Sequence, residues 1–181
     1  MAPWPISDSV TAPLGLGQTA PMPVPPPNRI PWPPLIYVTA AVLAVLLNEA
    51  FPGPAWFDRA LGAGIGWGAM LLGLGLDLAA MLTMRSRRAN ILPHRSATAL
   101  VTTGVFAWSR NPIYLGNTLL LAGAAMAFGN PWFLPAALLA AVAVTRLAIE
   151  REEAHLAALF GAGWDAYRRR TARWFGRRGG T

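Results

Sequence analysis

The chain has 181 residues, a mean hydropathy of +0.39 and 54% hydrophobic residues, which is more apolar than a soluble domain usually is and predicts a membrane protein. It contains no cysteine, so disulfides, thiolate nucleophiles and cysteine-ligated metals are excluded. The net charge of +7 comes from 15 basic residues, all arginine; because they flank apolar segments, we expect contact with membrane lipids and no nucleic-acid partner.

Residues 1–34 are rich in proline and poor in charge. Asp8 and Arg29 are the only charged residues among them. Without apolar periodicity, such a composition predicts a disordered or polyproline-like tail, and a ligand for proline-recognition domains is an alternative. The segment has no basic start, apolar core and small-residue cleavage site in succession, so no signal peptide is predicted. Residues 35–181 are predicted to form one membrane domain.

Four apolar segments follow, at residues 35–51, 61–84, 113–129 and 131–149. The first would span about 26 Å as a helix, just enough for a hydrocarbon core near 30 Å. The last two meet at Asn130 and Pro131, so they should form a tight helical hairpin. The predicted fold is therefore all-α and integral to the membrane, with about four transmembrane helices and a cytoplasmic C-terminal helical segment over residues 150–175.

Arginine placement predicts the orientation of these segments. The stretch 85–112 carries several arginines and no acid, and the chain after residue 150 carries further arginines. Under the positive-inside rule both stretches are cytoplasmic, while the loop 52–60 and the turn after the third segment face outward. The sequence thus predicts an inner-membrane protein with both termini in the cytoplasm.

Glycines are frequent at the start of the second segment, where Gly62/Gly66 and Gly64/Gly68 are spaced four apart. A phosphate-binding loop would need a strand before these glycines, which a membrane span does not offer. The spacing instead predicts close approach of a neighbouring helix.

Asp77 is a carboxylate within the same apolar segment. A charge inside a membrane span is costly and marks a pathway or a site. The alternative is a structural partner for Arg85 or Arg146 near the cytoplasmic edge.

Further polar residues concentrate on the predicted cytoplasmic side. The stretch 93–112 leads into the third segment, and an acidic run follows the fourth. In a helix, Glu150 pairs with Arg146 four residues before it and shares a face with Glu153, whereas Glu152 lies on another face with His155. The topology brings the two stretches together as a polar cluster at the headgroup level.

Each of these residues also has a simpler interpretation. Arg110 serves equally as a positive-inside anchor, Trp108 and Tyr114 as interfacial aromatics, and the acidic run as a solvated helix face. His94 and His155, without cysteines or a spaced carboxylate pair, predict no metal site.

The run LVTTGVFAWSRNPIYLG (100–116), followed by EREEAHLAALFGAGWDAYRRRTARWF (150–175), resembles the membrane superfamily of isoprenylcysteine carboxyl methyltransferases and phospholipid N-methyltransferases. The pattern of that superfamily is G-x-Y-x-x-x-R-H-P-x-Y-x-G, a helical hairpin, then E-E-x-x-L with F-G and a tyrosine. The resemblance covers roughly residues 90–175.

The resemblance implies S-adenosyl-L-methionine as cofactor, bound in a polar cavity at the cytoplasmic face without a soluble Rossmann domain. Residues 98–101 would line its adenosine side, and Glu152 would meet it from the helix that follows the fourth segment. By position, the cofactor-binding residues would be His94, Thr98, Ala99, Leu100, Val101, Phe106, Asn111, Pro112, Ile113, Tyr114 and Glu152. No catalytic residue is assigned, and Arg110 and Glu153 are supporting candidates.

Three positions depart from the superfamily pattern. Asn111 stands where the pattern has histidine, which keeps hydrogen bonding but removes a group that titrates near neutral pH. Phe106 replaces a tyrosine and loses its hydroxyl. Ala148 stands where eukaryotic carboxyl methyltransferases have an arginine thought to meet the substrate. These departures therefore weaken the prediction of a prenylcysteine substrate more than they weaken the prediction of the cofactor.

The predicted function is methyl transfer from S-adenosylmethionine to a lipophilic or small acceptor reached from the bilayer. Such a displacement depends mainly on holding the acceptor against the methyl carbon and excluding water. An amine acceptor must arrive deprotonated, which Glu153 or His94 would assist, whereas a carboxylate or thiol acceptor needs no base. The alternatives are a phospholipid amine N-methyltransferase and, in another class, a non-catalytic membrane scaffold.

Overall fold

The computed structural model describes residues 32–54, 59–87 and 99–178. Their helices are α1 (Trp32–Ala50), α2 (Arg59–Ser86), α3 (Pro112–Ala127), α4 (Phe133–Val144) and α5 (Glu150–Arg170). A 3-10 turn (Gly104–Ala107) precedes α3, and a π-helical turn (Thr145–Ile149) joins α4 to α5. Most of the predicted proline-rich tail lies outside the described residues. Helix α1 starts at Trp32, two residues before the predicted end of the tail, and carries Pro33 and Pro34 in its first turn, where proline's missing N–H costs no hydrogen bond.

Within the described residues, three segments are long and apolar enough to cross a membrane: Pro33–Ala50, Arg59–Ser86 and Phe133–Arg170. The predicted count was four. Helix α3 is apolar but has only 16 residues, or about 24 Å. It ends at Ala127 because Gly129 adopts a φ of 65°, the left-handed conformation that closes many helices. The chain stays helical beyond the predicted end of the fourth span at residue 149, because no proline or glycine interrupts residues 136–160. Helix α5 then has a kink at Gly161, whose φ is 46°.

Contacts between helices give their relative directions. The hydroxyl of Tyr37, near the start of α1, donates to the carbonyl of Tyr114, near the start of α3, at 3.0 Å. Further along, the amide Nδ2 of Asn130, just after α3, donates to the carbonyl of Ala44 at 3.0 Å. Helices α1 and α3 therefore run in the same direction. The start of α5 lies at the same end of the bundle as the start of α3, since Glu152 accepts a hydrogen bond from Tyr114.

Large apolar side chains of α1 and α2 point outward. In α2, for example, Leu71 and Leu72 are 67% and 59% exposed. Exposing such an apolar surface to water would cost free energy, whereas contact with the equally apolar lipid tails would not. The exposed faces agree with a protein embedded in a bilayer.

Glycines carry the contact between α2 and α3. A Cβ added at Gly66 would lie 2.6 Å from the carbonyl oxygen of Gly123, and one added at Gly73 would lie 2.6 Å from that of Gly116. Gly62 is buried as well. The predicted close approach of a neighbouring helix is thus confirmed at Gly66. The Gly64/Gly68 prediction is wrong, because a Cβ at either position would meet nothing within 4 Å.

The contact between α2 and α3 can be tested with a matched pair of glycine substitutions. Replacing Gly73 with alanine should lower the free energy of unfolding by about 1–3 kcal/mol, because the new methyl group pushes against backbone atoms that cannot move alone. Gly75→Ala, two residues along the same helix, should leave it unchanged or raise it by up to about 1 kcal/mol, since a Cβ there meets nothing within 4 Å and alanine is the better helix former. Thermal unfolding in detergent measures both, and equal losses would contradict this helix contact.

Candidate functional site

Hydrogen bonds fix the chain immediately before α3. Pro112 begins the helix, and the hydroxyl of Ser109 accepts from the backbone N–H of Asn111 at 3.0 Å. The side-chain amide of Asn111 donates to the carbonyl of Arg173 at 3.1 Å. Asn111 is 9% exposed. The asparagine that departs from the superfamily pattern therefore anchors the chain after α5.

Residues 171–178, which we call the C-terminal strap, cover this region. The backbone N–H of Arg110 donates to the carbonyl of Ala172 at 3.0 Å, and that of Gly176 donates to the carbonyl of Trp108 at 2.8 Å. Just before the strap, the hydroxyl of Tyr167 donates to the carbonyl of Phe106 at 2.8 Å. The strap and the end of α5 thus hold residues 106–111 against the bundle.

The two stretches that carry the resemblance meet at Tyr114 and Glu152. The hydroxyl of Tyr114 donates to Oε1 of Glu152 at 2.8 Å. The Tyr114 side chain is buried, and its own carbonyl accepts from Tyr37. The contact joins the first turn of α3 to the first turn of α5, as expected for one polar cluster.

An ion-pair network lies on the other face of the same turn of α5. Nη2 of Arg110 lies 3.3 Å from Oε1 of Glu153, and Nη2 of Arg173 lies 2.7 Å from Oε2. Arg110 and Glu153 are nearly buried, with side-chain exposures of 7% and 13%. Burial lowers the pKa of Arg110 and the facing Glu153 opposes that shift, while the hydrogen bond to Glu153 raises the pKa of Arg173. Glu153 therefore stabilises two arginines together.

The network continues toward solvent through Glu150. Its Oε1 lies 3.1 Å from Nη1 of Arg146 and 3.8 Å from Nη1 of Arg173. The first contact confirms the predicted pair along the helix. The Glu150 side chain is 38% exposed, so we expect these pairs to contribute little stability.

A cleft of about 490 Å³ opens beside the network. It is lined by Arg110, Glu150, Glu153, Ala154, Ala157, Trp164, Arg168, Arg169, Arg173 and Arg178. Tyr114 and Glu152 are not among these residues. The first turn of α5 therefore has two polar faces, and the prediction that Glu150 and Glu153 share one while Glu152 lies on another is confirmed.

Other predicted cofactor residues lie around the same end of the bundle. Val101 is buried, Ala99, Phe106 and Ile113 are half-buried, and a Cβ at Gly163 would lie 4.0 Å from Cδ2 of the half-buried Leu100. The stretch 99–101 therefore runs beside the later turns of α5. His94 and Thr98 lie outside the described residues.

Asp77 lies deeper, against Gly116 of α3. Its Oδ1 is buried without a hydrogen-bond partner among the described residues. Neither proposed partner forms an ion pair with it in that part of the chain, and Arg146 pairs with Glu150 instead. The structural-partner interpretation of Asp77 is therefore wrong.

Sequence reasoning missed Trp164, Tyr167 and Arg173. The Trp164 ring lies under the guanidinium of Arg110, with 5.4 Å between Cζ of Arg110 and the ring centroid. Trp164 and Tyr167 are three residues apart and both buried, so helical periodicity offered a signal for them. Arg173 looked like one more basic residue in an arginine-rich tail, and no local pattern links it to Glu153.

Comparison with known proteins adds the family. A family model described as phospholipid methyltransferase matches residues 62–163, which is more than half of the chain and runs from α2 into α5. No curated protein matches the chain. The match confirms the superfamily resemblance drawn from the sequence, and with the three segments able to cross a membrane it supports a membrane methyltransferase. The chain therefore belongs to the phospholipid methyltransferase family.

Proposed function

We propose that the protein transfers a methyl group from S-adenosyl-L-methionine to a lipophilic or small acceptor that reaches it from the bilayer. The observation that carries the proposal is the 2.8 Å contact between Tyr114 and Glu152, which unites the two stretches characteristic of the superfamily. The phospholipid methyltransferase match supports the methyl-transfer chemistry.

The residues at this contact fit the cofactor. S-adenosylmethionine supplies an electrophilic methyl group on a sulfonium, and it carries an ammonium as well. A carboxylate and an aromatic ring favour such cations, and Glu152 and Tyr114 offer both. The half-buried to buried stretch 99–101 offers an apolar surface for adenosine beside α5. His94, Thr98, Phe106, Asn111, Pro112 and Ile113 complete the proposed cofactor-binding set.

The chain's own residues then have distinct tasks. Tyr114 orients Glu152, and the anchoring of residues 106–111 by the strap keeps this wall in place and excludes water. Both carboxylate oxygens of Glu153 accept from Arg173, and Arg110 lies against one of them. We therefore assign Glu153 and Arg110 to positioning the wall.

The second candidate is a phospholipid amine N-methyltransferase, which the family description favours. The test is incubation of the purified protein in nanodiscs with methyl-labelled S-adenosylmethionine and a whole-membrane lipid extract. Label in a phospholipid amine supports the second candidate, and label in an ester or thioether supports a carboxyl or thiol acceptor. If wild-type protein yields no more labelled product than heat-denatured protein does, the enzyme proposal is contradicted and the non-catalytic membrane scaffold is favoured.

We further propose that α1, α2, α3 and the α4–α5 helix all cross the membrane, with both termini and the site in the cytoplasm. Among the described residues, Arg85, Arg87 and Arg110 lie at the same end of the bundle as the arginines after residue 150, as the positive-inside rule requires of a cytoplasmic end. A reporter fused after Thr181 should read as cytoplasmic. A periplasmic signal from that fusion would overturn the orientation.

A further inference from the structure

The cleft beside the ion-pair network is strongly basic. Arg110, Arg168, Arg169, Arg173 and Arg178 line it, and its only acidic lining residues are two glutamates, in the part of the chain that the structure describes. Both glutamates are already engaged by arginines. The cleft therefore carries a surplus of positive charge that its own carboxylates do not balance.

Arg110 lines the cleft with a side chain that is itself nearly buried. Nε of Arg110 is buried and has no hydrogen-bond partner among the described residues, and the Arg110 side chain is only 7% exposed. Burial lowers the pKa of Arg110, and the positive charges of Arg173 and Arg178 lower it further. An anion in the cleft would relieve this repulsion.

Arginines at the outer side of the cleft also lack carboxylate partners among the described residues. Among the described ion pairs, none includes Arg169 or Arg178, while Arg168 pairs with Asp165 at 2.8 Å. Guanidinium groups bind phosphate through paired N–H donors, which gives both strength and orientation. The guanidinium groups of Arg169 and Arg178 at the rim and of Arg110 inside can bind several oxygens of one phosphate group.

We propose that this cleft is a binding site for a phosphate group, separate from the proposed cofactor wall. The inference goes beyond the proposed function, because the site binds its ligand whether or not the protein transfers a methyl group. The sulfonium cofactor suits the Tyr114–Glu152 face, whereas five arginines repel a cation and attract an anion.

Neighbouring aromatics favour a lipid headgroup as the source of the phosphate. Trp108 and Phe175 are 52% and 69% exposed, and their rings stack with centroids 6.3 Å apart. The guanidinium of Arg177 lies over the Trp108 ring at 5.9 Å. Exposed aromatics with an arginine beside them are typical of the membrane–water interface, where lipid phosphates lie.

The experiment measures phosphate binding directly by ³¹P NMR, with protein in a phosphate-free maltoside detergent. The probes are inorganic phosphate and soluble dihexanoyl phosphatidylglycerol. The test variant is Arg169→Gln/Arg178→Gln. The matched control is Arg151→Gln, an exposed arginine of α5 that does not line the cleft. Wild-type protein should bind the lipid probe saturably, and the double variant should weaken that binding at least about tenfold, as expected for loss of charge-assisted hydrogen bonds.

The outcomes separate the possible sources. Displacement of the lipid probe by inorganic phosphate supports the site with a lipid ligand, and saturable binding of inorganic phosphate alone supports it with a soluble one. The proposal is overturned if neither probe binds saturably or if Arg151→Gln weakens binding as much as the double variant. It is also overturned if S-adenosylhomocysteine displaces the probes competitively, because the cleft would then be part of the cofactor site. Absence of methyl transfer bears only on the proposed function.

Discussion

Replacing Glu153 with alanine is expected to lower the free energy of unfolding by about 3–5 kcal/mol, which is typical when one partner of a buried ion pair is removed. The reason is the environment of Arg110, whose side chain is 7% exposed and whose nearest carboxylate is Glu153 at 3.3 Å. Without that carboxylate the guanidinium is a buried charge with no counter-charge. Arg173 also loses the acceptor of its two hydrogen bonds.

Glu150→Ala is the matched control, since it removes a carboxylate one turn earlier on the same side of the helix. That side chain is 38% exposed and lies 3.8 Å from Arg173, so the expected loss is below about 1 kcal/mol. Adding Arg110→Leu to Glu153→Ala should recover part of the loss by removing the unpaired charge. Unfolding in detergent, followed by circular dichroism, measures all three variants. Similar losses for Glu150→Ala and Glu153→Ala would contradict the buried network.

Tyr114→Phe and Glu152→Gln are each expected to weaken S-adenosylmethionine binding about tenfold or more. Tyr114→Phe keeps the ring and removes the donor that holds Glu152 at 2.8 Å. Glu152→Gln removes the charge that we propose faces the cationic groups of the cofactor. Hydrogen bonds to charged groups contribute about 1.5–3 kcal/mol, which corresponds to that loss of affinity. Isothermal titration calorimetry in detergent provides the dissociation constants.

The double variant Tyr114→Phe/Glu152→Gln shows whether the two residues act together in cofactor binding or independently. Because Tyr114→Phe removes the donor and Glu152→Gln the charge of the acceptor in the same hydrogen bond, their combined effect on binding free energy should be smaller than the sum of the single effects. Glu150→Gln makes the same charge change on the same helix without touching Tyr114, and it should leave affinity within about twofold. Full additivity, or an equal loss in Glu150→Gln, would argue against a cofactor wall built on this contact.

The sequence was sufficient to predict the helical segments and the two faces of α5. Long apolar runs define helices with or without tertiary contacts, and the 3.6-residue period fixes that Glu150 and Glu153 share a face while Glu152 does not. Tyr114 and Glu152 were predicted together only through the resemblance, since residues so far apart in sequence carry no local signal of contact.

Packing between elements could not be predicted in the same way. Spacing made Gly62/Gly66 and Gly64/Gly68 equivalent, and only the rotation of α2 against α3 places Gly66 in the contact and leaves Gly64 and Gly68 exposed. Likewise, Arg173 reaches Glu153 because the strap turns back after Thr171 and pairs with residues 108–110. Such backbone pairing depends on where α5 ends, and composition does not report it.

The central claim is that Tyr114 and Glu152 form one wall of an S-adenosylmethionine site in a membrane methyltransferase. Titration of the purified wild-type protein with S-adenosylmethionine tests it most directly. We expect saturable binding at one site per chain, weakened by Glu152→Gln and Tyr114→Phe and retained in Glu150→Gln. The absence of saturable binding by correctly folded wild-type protein, or binding that is unchanged in both wall variants, would contradict it.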